Sequence, residues 1–279
     1  MYFSIPTPSD FSFYETIAAH GWRRLLPFVW DEDTQTLSRA EDLGEGHVVR
    51  LTIRAGADGV EVQTDGDEAE ITRCVRRMLQ MDLPMGEFHA YCRNQAALAS
   101  IAERGRGRML RSPTLWEDVV KVIATTNTTW AQTIAMTARI VAAFGTEGLA
   151  FPSPAQIAAV SLDEFAAKAR MGYRNAYVHA IASAIANGSL DLEAWQAEAL
   201  PAVDLRKRLL SLPGIGPYGA ACLLLYLGKP EHVNSDSVAR AALAQELGRP
   251  VTDKEVHAFF EAHGEWRGLI YNFYPWKQE

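Results

Sequence analysis

One acidic residue, Asp236, follows 20 residues after a turn in which two glycines flank an isoleucine, Gly214-Ile215-Gly216. The glycines let the backbone pass close to a partner, and Pro217 suits the first turn of a following helix. Successive amides there can bind one phosphate without a basic side chain, while Ile215 anchors the turn from below. A fixed carboxylate can stabilise positive charge or deprotonate water. The pattern predicts an anion-binding turn beside a candidate catalytic acid.

Two apolar runs typical of helices position this turn, LLSLP before it and YGAACLLLYL after it. Each feature also has a simpler interpretation. A glycine-rich turn can be an ordinary connection between helices, and Asp236 is a good N-cap for a helix starting at Ser237. The spacing between the turn and the acid favours catalysis, and both roles of Asp236 can coexist.

With its flanks, the segment resembles the helix-hairpin-helix (HhH-GPD) superfamily of DNA glycosylases, whose signature joins an LPGIG-type hairpin to an acid about twenty residues later. RMGYRNAYVHAIASAI, from Arg170, is similar to the helix before the hairpin in 8-oxoguanine glycosylases, and VIATTNTTWAQTIAM, from Val122, resembles their strand-insertion turn. The similarity covers most of residues 112–275. It includes both the alkylpurine (3-methyladenine) and the 8-oxoguanine DNA glycosylases.

The predicted fold is mainly α with an N-terminal α+β part. Val49, Leu51 and Ile53 alternate with polar residues before an Ala57-Asp58-Gly59 turn, which predicts a β-hairpin. After residue 110 the apolar spacing is helical. The resemblance implies two helical lobes around a cleft plus a small antiparallel sheet. We expect an N-terminal β-containing domain at 1–110 and a helical domain at 111–279, with the helix-hairpin-helix motif at about 204–228.

The resemblance also assigns site residues. Asp236 is the expected catalytic residue. An enzyme of this kind extrudes a nucleotide and fills the gap, so Asn127 is expected to enter the duplex, Tyr173 to wedge between bases and Arg174 to read the estranged partner. Expected DNA-binding residues of the hairpin are Leu212, Gly214, Ile215, Gly216, Tyr218 and Gly219. Candidates for the base pocket are Cys222, Tyr218, Trp130 and Trp266, with Tyr271 and Phe273 as further aromatic candidates.

Tyr218 stands where bifunctional members of the superfamily have a lysine that forms a Schiff base with the sugar. A phenol forms no imine, so we expect a monofunctional enzyme that uses water and leaves an abasic site. Asn127, Tyr173 and Cys222 favour 8-oxoguanine as substrate, whereas Tyr218 and Ser237 favour alkylated purines, which we prefer. The alternative from another class is a noncatalytic protein that binds damaged DNA.

The formal net charge of −7 argues against tight nonspecific binding of nucleic acid. Basic side chains that could form a local DNA-binding face are Arg104, Arg106, Arg108, Arg111, Arg206, Lys207 and Arg208. Three cysteines lack the spacing of an iron-sulfur site, so neither such a cluster nor another required cofactor is predicted. A monovalent cation at the hairpin is implied by the resemblance alone. We expect an intracellular monomer without membrane spans that binds double-stranded DNA containing a damaged base.

Overall fold

The computed structural model describes residues 1–276 except 45, 199, 234 and 236. The strands are β1 Tyr2–Ile5, β2 Val29–Asp31, β3 Thr36–Asp42, β4 Val48–Gly56 and β5 Gly59–Thr64. The helices of the N-terminal part are α1 Phe13–Ala18, α2 Glu68–Met78, α3 Gly86–Arg93 and α4 Ala99–Glu103. Short 3₁₀ turns occur at Gly21–Arg24, Thr146–Gly148 and Gly264–Trp266.

The remaining helices follow almost without interruption. They are α5 Leu115–Thr125, α6 Trp130–Phe144, α7 Pro154–Ala158, α8 Leu162–Ala169, α9 Arg174–Ala186, α10 Leu192–Ala197, α11 Ala202–Leu210, α12 Pro217–Tyr226, α13 Ser237–Leu247, α14 Asp253–Glu261 and α15 Arg267–Phe273. The predicted mainly α fold is therefore confirmed. The helix-hairpin-helix motif is α11, its turn and α12.

The five strands form one antiparallel sheet in the order β1-β5-β4-β3-β2. Val49, Leu51 and Ile53 are buried, as their alternation predicted, because every second side chain of β4 points into the core. Gly59 closes the predicted hairpin with a φ of +142°, and a Cβ on it would lie 2.1 Å from the carbonyl oxygen of Ile5. The turn therefore requires glycine there.

Local signals in the sequence fix several helix ends. Ser153 and Thr252 form capping boxes at the starts of α7 and α14, and Ser161 caps α8. Gly188 and Gly248 follow α9 and α13 with φ values of +78° and +68°. The sequence therefore encodes these boundaries locally.

Helix α5 is the centre of the helical part, because every residue from 115 to 124 is buried. It contacts α6, α9, α10 and α12, so two sets of helices pack around it. None of the helices within the described ranges is long and apolar enough to span a membrane. The division into domains at residue 110 stays a prediction.

Candidate DNA-binding and base-excision site

The turn between α11 and α12 offers two glycine amides to a partner. Leu212 and Ile215 are buried and anchor it, and the Ile215 amide donates to the Leu212 carbonyl at 3.1 Å. Gly214 has a φ of +83°, and Gly216 caps α12 with open space where a Cβ would be. Within the described ranges, no acceptor lies within hydrogen-bond distance of the amide of Gly214 or Gly216. This geometry suits an external anion such as a phosphate.

The predicted catalytic acid, Asp236, lies outside the described residues. On one side of it, Ser235 donates a hydrogen bond to Asp253 at 2.8 Å. On the other side, α13 begins at Ser237. Ser235 and Tyr218 line the same cleft of about 580 Å³. The chain segment that carries Asp236 therefore borders the cleft that Tyr218 enters from the hairpin.

One face of α12, together with His20 and Trp22 of the N-terminal part, forms an aromatic surface that we call the wall. Tyr218, Cys222 and Tyr226 are four residues apart, a spacing that places them on the same side of a helix. Cys222 and Tyr226 are buried. The Tyr226 ring stacks on His20 at 5.2 Å between centroids and lies 5.2 Å from the Trp22 ring. The wall thus combines α12 with the Gly21–Arg24 turn of the N-terminal part.

Close packing holds α12 in this position. Gly219 is buried, and a Cβ on it would lie 3.1 Å from Cγ1 of Val122 on α5. Gly219 was predicted to contact DNA, whereas here it lets two helices approach closely. A larger residue would require Val122 or α12 to shift.

The two predicted tryptophans lie in different places. Trp130, the first residue of α6, covers Gly21 so closely that a Cβ there would lie 2.2 Å from the indole Cζ2. Trp130 therefore stands beside the wall that contains Tyr226. Trp266 instead packs against Phe88, with 5.5 Å between ring centroids, and it lines a small cavity with Leu225. The structure does not bring Trp266 to the wall, because Leu225 and Tyr226 face different sides of α12.

The two C-terminal aromatic candidates are core residues. Tyr271 is buried and lies 5.4 Å from the Phe260 ring in a T-shaped arrangement. Phe273 is also buried, and it borders a separate cavity between α1 and the C-terminal segment.

His20 contributes a neutral imidazole to the wall. Its Nε2 lies 2.5 Å from the Leu110 carbonyl oxygen and therefore donates to it, and its Nδ1 accepts from the Trp22 amide at 3.3 Å. Burial lowers the pKa of His20 to about 4. His20 is therefore an uncharged ring at neutral pH, with both nitrogens already bonded.

Sequence reasoning missed His20, Gly21, Trp22 and Tyr226. The spacing of Tyr226 after Cys222 is a signal that could have identified it. The other three come from a part of the chain whose contact with α12 no local pattern indicates.

A buried cluster of charges holds the N-terminal side of the wall against α5. Glu117 of α5 bonds Arg39 of β3 at 3.0 Å and Lys121 at 2.6 Å. Trp22 donates from Nε1 to Asp118 at 3.0 Å. Burial opposes ionisation of Glu117, but Arg39 and Lys121 together lower its pKa. These contacts connect the sheet to α5 and fix the orientation of the Trp22 ring.

The two loops predicted to probe DNA are in contact. Asn127 has a φ of +44°, and its Nδ2 donates to the hydroxyl of Tyr173 at 3.4 Å. The Tyr173 side chain is 54% exposed, as a wedge requires. Arg174 is only 7% exposed, and its guanidinium donates to the backbone carbonyls of Thr126, Asn127 and Met171. The structure thus places Asn127 and Tyr173 together at the surface and Arg174 beneath them.

Arg104, Arg106, Arg108 and Arg111, the first four of the basic side chains proposed for a DNA-binding face, do not form one, so that part of the expectation is wrong. Arg104 and Arg106 pair with Glu15, each at 2.7 Å. Arg108 and Arg111 are buried, and they bond carboxylates and backbone carbonyls. These side chains stabilise the connection between the two parts of the chain, because a buried guanidinium needs several acceptors.

The remaining proposed basic side chains, Arg206, Lys207 and Arg208, lie at the surface of α11 or at its cleft. Lys207 and Arg208 pair with Asp204 and Glu198 at 3.0 Å each. Arg206 lines the cleft that contains Tyr218 and Ser235. No group of three or more His, Cys, Asp or Glu side chains suited to a metal ion occurs in the part of the chain that the structure describes.

Comparison with known proteins identifies the class. The model of one protein family, described as "HhH-GPD superfamily base excision DNA repair protein", matches residues 120–265, just over half of the chain. This range contains the second half of α5, the insertion turn, the hairpin and the position of Asp236. The chain belongs to the HhH-GPD superfamily of base excision DNA repair proteins, and the class that fits is a DNA repair glycosylase.

Solved structures agree in fold over almost the whole chain. A 3-methyladenine DNA glycosylase from Archaeoglobus fulgidus has 16% identity and a TM-score of 0.74, with 98% of this chain and 97% of that one covered. The 8-oxoguanine glycosylase/lyase of Clostridium acetobutylicum has 18% identity and a TM-score of 0.74, with 98% of each covered. The protein MBOgg1, solved with a low-affinity DNA ligand, has 20% identity and a TM-score of 0.75, with 98% and 93% covered. The fold is therefore shared by enzymes with different substrates.

Proposed function

We propose that the protein is a monofunctional DNA glycosylase that extrudes a damaged purine from duplex DNA and hydrolyses its N-glycosidic bond. Tyr218 carries the proposal, because it stands at the start of α12, where a bifunctional enzyme has its lysine, and borders the cleft beside Ser235. Without an amine, water is the nucleophile. An abasic site is then the product.

In the proposed reaction, the bond between the sugar C1′ and the base nitrogen breaks, and its electron pair leaves with the base. The Asp236 carboxylate stabilises the positive charge that develops on the sugar. A water oxygen then bonds to C1′ and loses its proton to Asp236 or to solvent. The amides of Gly214 and Gly216 hold a phosphate of the same strand during this step. No cofactor takes part, and a monovalent cation at the hairpin carbonyls stays a prediction.

We prefer alkylated purines as substrates. A purine alkylated on a ring nitrogen carries positive charge, so it leaves as a neutral base without being protonated. His20 supports this preference, because a ring with a pKa of about 4 and both nitrogens bonded is a poor acid at neutral pH. Trp130 is only partly buried, and its ring supplies a face that attracts a cation by about 0.5–2 kcal/mol. A neutral base such as 8-oxoguanine gains stacking alone.

The test uses end-labelled duplexes that each carry one modified base: a methylated purine, hypoxanthine, uracil or 8-oxoguanine. Each is analysed with and without hot alkali, and with borohydride to trap any imine. We expect breaks only after alkali, no trapped complex and the highest rate on a methylated purine. Breaks without alkali, or a trapped complex, would contradict the monofunctional mechanism.

Asp236→Asn keeps the size of the side chain and removes its charge. We expect it to abolish excision and to retain DNA binding. Glu261→Gln is the matched control, because Glu261 is an acid that lines the same cleft at its exposed edge. Binding of damaged duplexes by the wild-type protein without excision of any base would instead identify a noncatalytic damage-binding protein.

A further inference from the structure

The guanidinium of Arg174 is fully engaged within the protein. Nε donates to the hydroxyl of Thr126 at 3.3 Å, Nη1 to the carbonyl of Met171 at 3.2 Å and Nη2 to the carbonyls of Thr126 and Asn127. All three nitrogens are therefore bonded, in a side chain that is 7% exposed. To reach a base in the duplex, Arg174 would have to abandon these acceptors, of which the Met171 carbonyl is buried and the Thr126 and Asn127 carbonyls are partly buried.

The acceptors of Arg174 belong to both probing loops. Thr126 and Asn127 form the turn after α5, and Met171 precedes the exposed Tyr173. The Arg174 guanidinium also lies 4.5 Å from the centre of the Tyr173 ring. One side chain thus fixes the residue expected to enter the duplex relative to the residue expected to wedge between its bases.

A second contact extends this unit to the hairpin. The Tyr173 ring lies 5.8 Å from the Tyr177 ring in a T-shaped arrangement. Tyr177 packs under Gly214, where a Cβ would lie 2.6 Å from the tyrosine Cδ2. Asn127, Tyr173 and the phosphate-binding turn are therefore connected through Arg174 and Tyr177 by continuous side-chain contact.

We infer that Arg174 is a positioning residue that holds the Asn127 turn in place, and that it does not read the base opposite the extruded nucleotide. This inference rests on the proposed glycosylase function. A bidentate arginine contact to a guanine discriminates against other bases by about 5- to 150-fold. Because Arg174 makes no such contact, the protein discriminates little among the four opposite bases.

A second arginine, on α6, reaches this loop and is also occupied. Arg139 donates from Nε to the Ala169 carbonyl at 3.0 Å and from Nη2 to the Arg170 carbonyl at 3.2 Å. Arg170 is exposed, and among the described residues its guanidinium bonds its own helix alone, from Nε to the Ala167 carbonyl at 3.3 Å. Arg170→Ala is therefore a matched control, because it removes a guanidinium from the same loop without releasing the Asn127 turn.

The experiment measures the Kd of duplexes that carry a tetrahydrofuran abasic-site analogue opposite C, T, A or G. This probe does not depend on which damaged base is the substrate. The wild-type values are expected to lie within about fivefold of one another, below the discrimination of one bidentate contact. Arg174→Ala is expected to weaken binding to all four duplexes by a similar factor of about ten, and Arg170→Ala by less than about twofold.

A wild-type preference above about tenfold for one opposite base, lost in Arg174→Ala or in Arg170→Ala, would overturn the inference. So would unchanged affinities of Arg174→Ala on all four duplexes. If Arg174→Ala fails to fold, Arg174→Lys replaces it, because lysine keeps the charge but reaches fewer of the carbonyls. Arg174→Lys should weaken binding by less than about tenfold, and by a similar factor on all four duplexes. A wild-type protein that binds abasic duplexes no better than undamaged DNA would instead contradict the proposed function.

Discussion

Replacing Gly216 with alanine separates DNA binding from folding. Gly216 has a φ of −93° and a ψ of −172°, which any residue can adopt, and apart from its neighbours along the chain no atom of the described residues lies within 4 Å of the position of an added Cβ. Alanine is a poorer N-cap than glycine, at a cost of about 0.5–1 kcal/mol. Reduced freedom of the unfolded chain offsets about 0.4–1 kcal/mol of that. The free energy of unfolding should therefore change by less than about 1 kcal/mol.

DNA affinity should change far more. In the proposed binding mode a phosphate approaches the Gly216 amide through the open space beside it, and a methyl group would fill that space. A hydrogen bond to a charged group contributes about 1.5–3 kcal/mol. Losing it corresponds to a fall in affinity of about 10- to 150-fold.

Fluorescence anisotropy with a labelled abasic duplex measures the affinity, and urea titration measures the stability. Gly86→Ala is the control, because Gly86 also begins a helix, has open space at its Cβ position and lies outside the hairpin. Gly216→Ala that binds within about twofold of wild type would refute the assignment of this turn to DNA. A parallel loss of stability would indicate a purely structural role.

Three further changes test the wall and its support. Burial lowers the pKa of His20 from 6.5 to about 4, so between these pH values the imidazole is protonated in the unfolded chain but not in the native chain. The free energy of unfolding therefore falls as the pH drops from 6.5 to 4. His20→Phe should flatten this dependence in urea titrations between pH 6.5 and 4, and an unchanged slope would contradict the pKa. Gly21→Ala should displace the Trp130 ring and lower kcat/KM for excision about tenfold, whereas unchanged kinetics would exclude Trp130 from the pocket. Glu117→Gln leaves Lys121 buried without its carboxylate and should cost about 3–5 kcal/mol in urea denaturation, with a loss below 1 kcal/mol refuting the pairing.

The hairpin and the sheet could be predicted because their signals are local. Gly214 supplies the positive φ that its turn requires, and the alternation from Val49 to Ile53 specifies which face of β4 is buried. Capping residues likewise act within one helical turn. The fold class, the hairpin and several helix boundaries follow from such patterns.

The partners of charged residues could not be predicted in this way. Arg39 and Glu117 are 78 positions apart, and nothing near Arg39 indicates that it is buried. Arg108 and Arg111 look like surface charge in the sequence because a guanidinium carries no mark of its acceptors. Arg174 follows Tyr173 as the resemblance implies, yet its carbonyl partners depend on how two loops meet in space.

The buried charges of α5 determine how the chain can be divided in the laboratory. A fragment that starts at residue 111 would keep Glu117, Asp118 and Lys121 but would lose Arg39 and Trp22. Its central helix would then be uncovered on one side, with apolar surface exposed beside carboxylates that have lost one partner each, and copies of the fragment would associate through it. The N-terminal part therefore covers a face of α5 that would otherwise cause the helical part to associate. Co-expressing 1–110 with 111–279 should recover soluble protein where the second fragment alone does not.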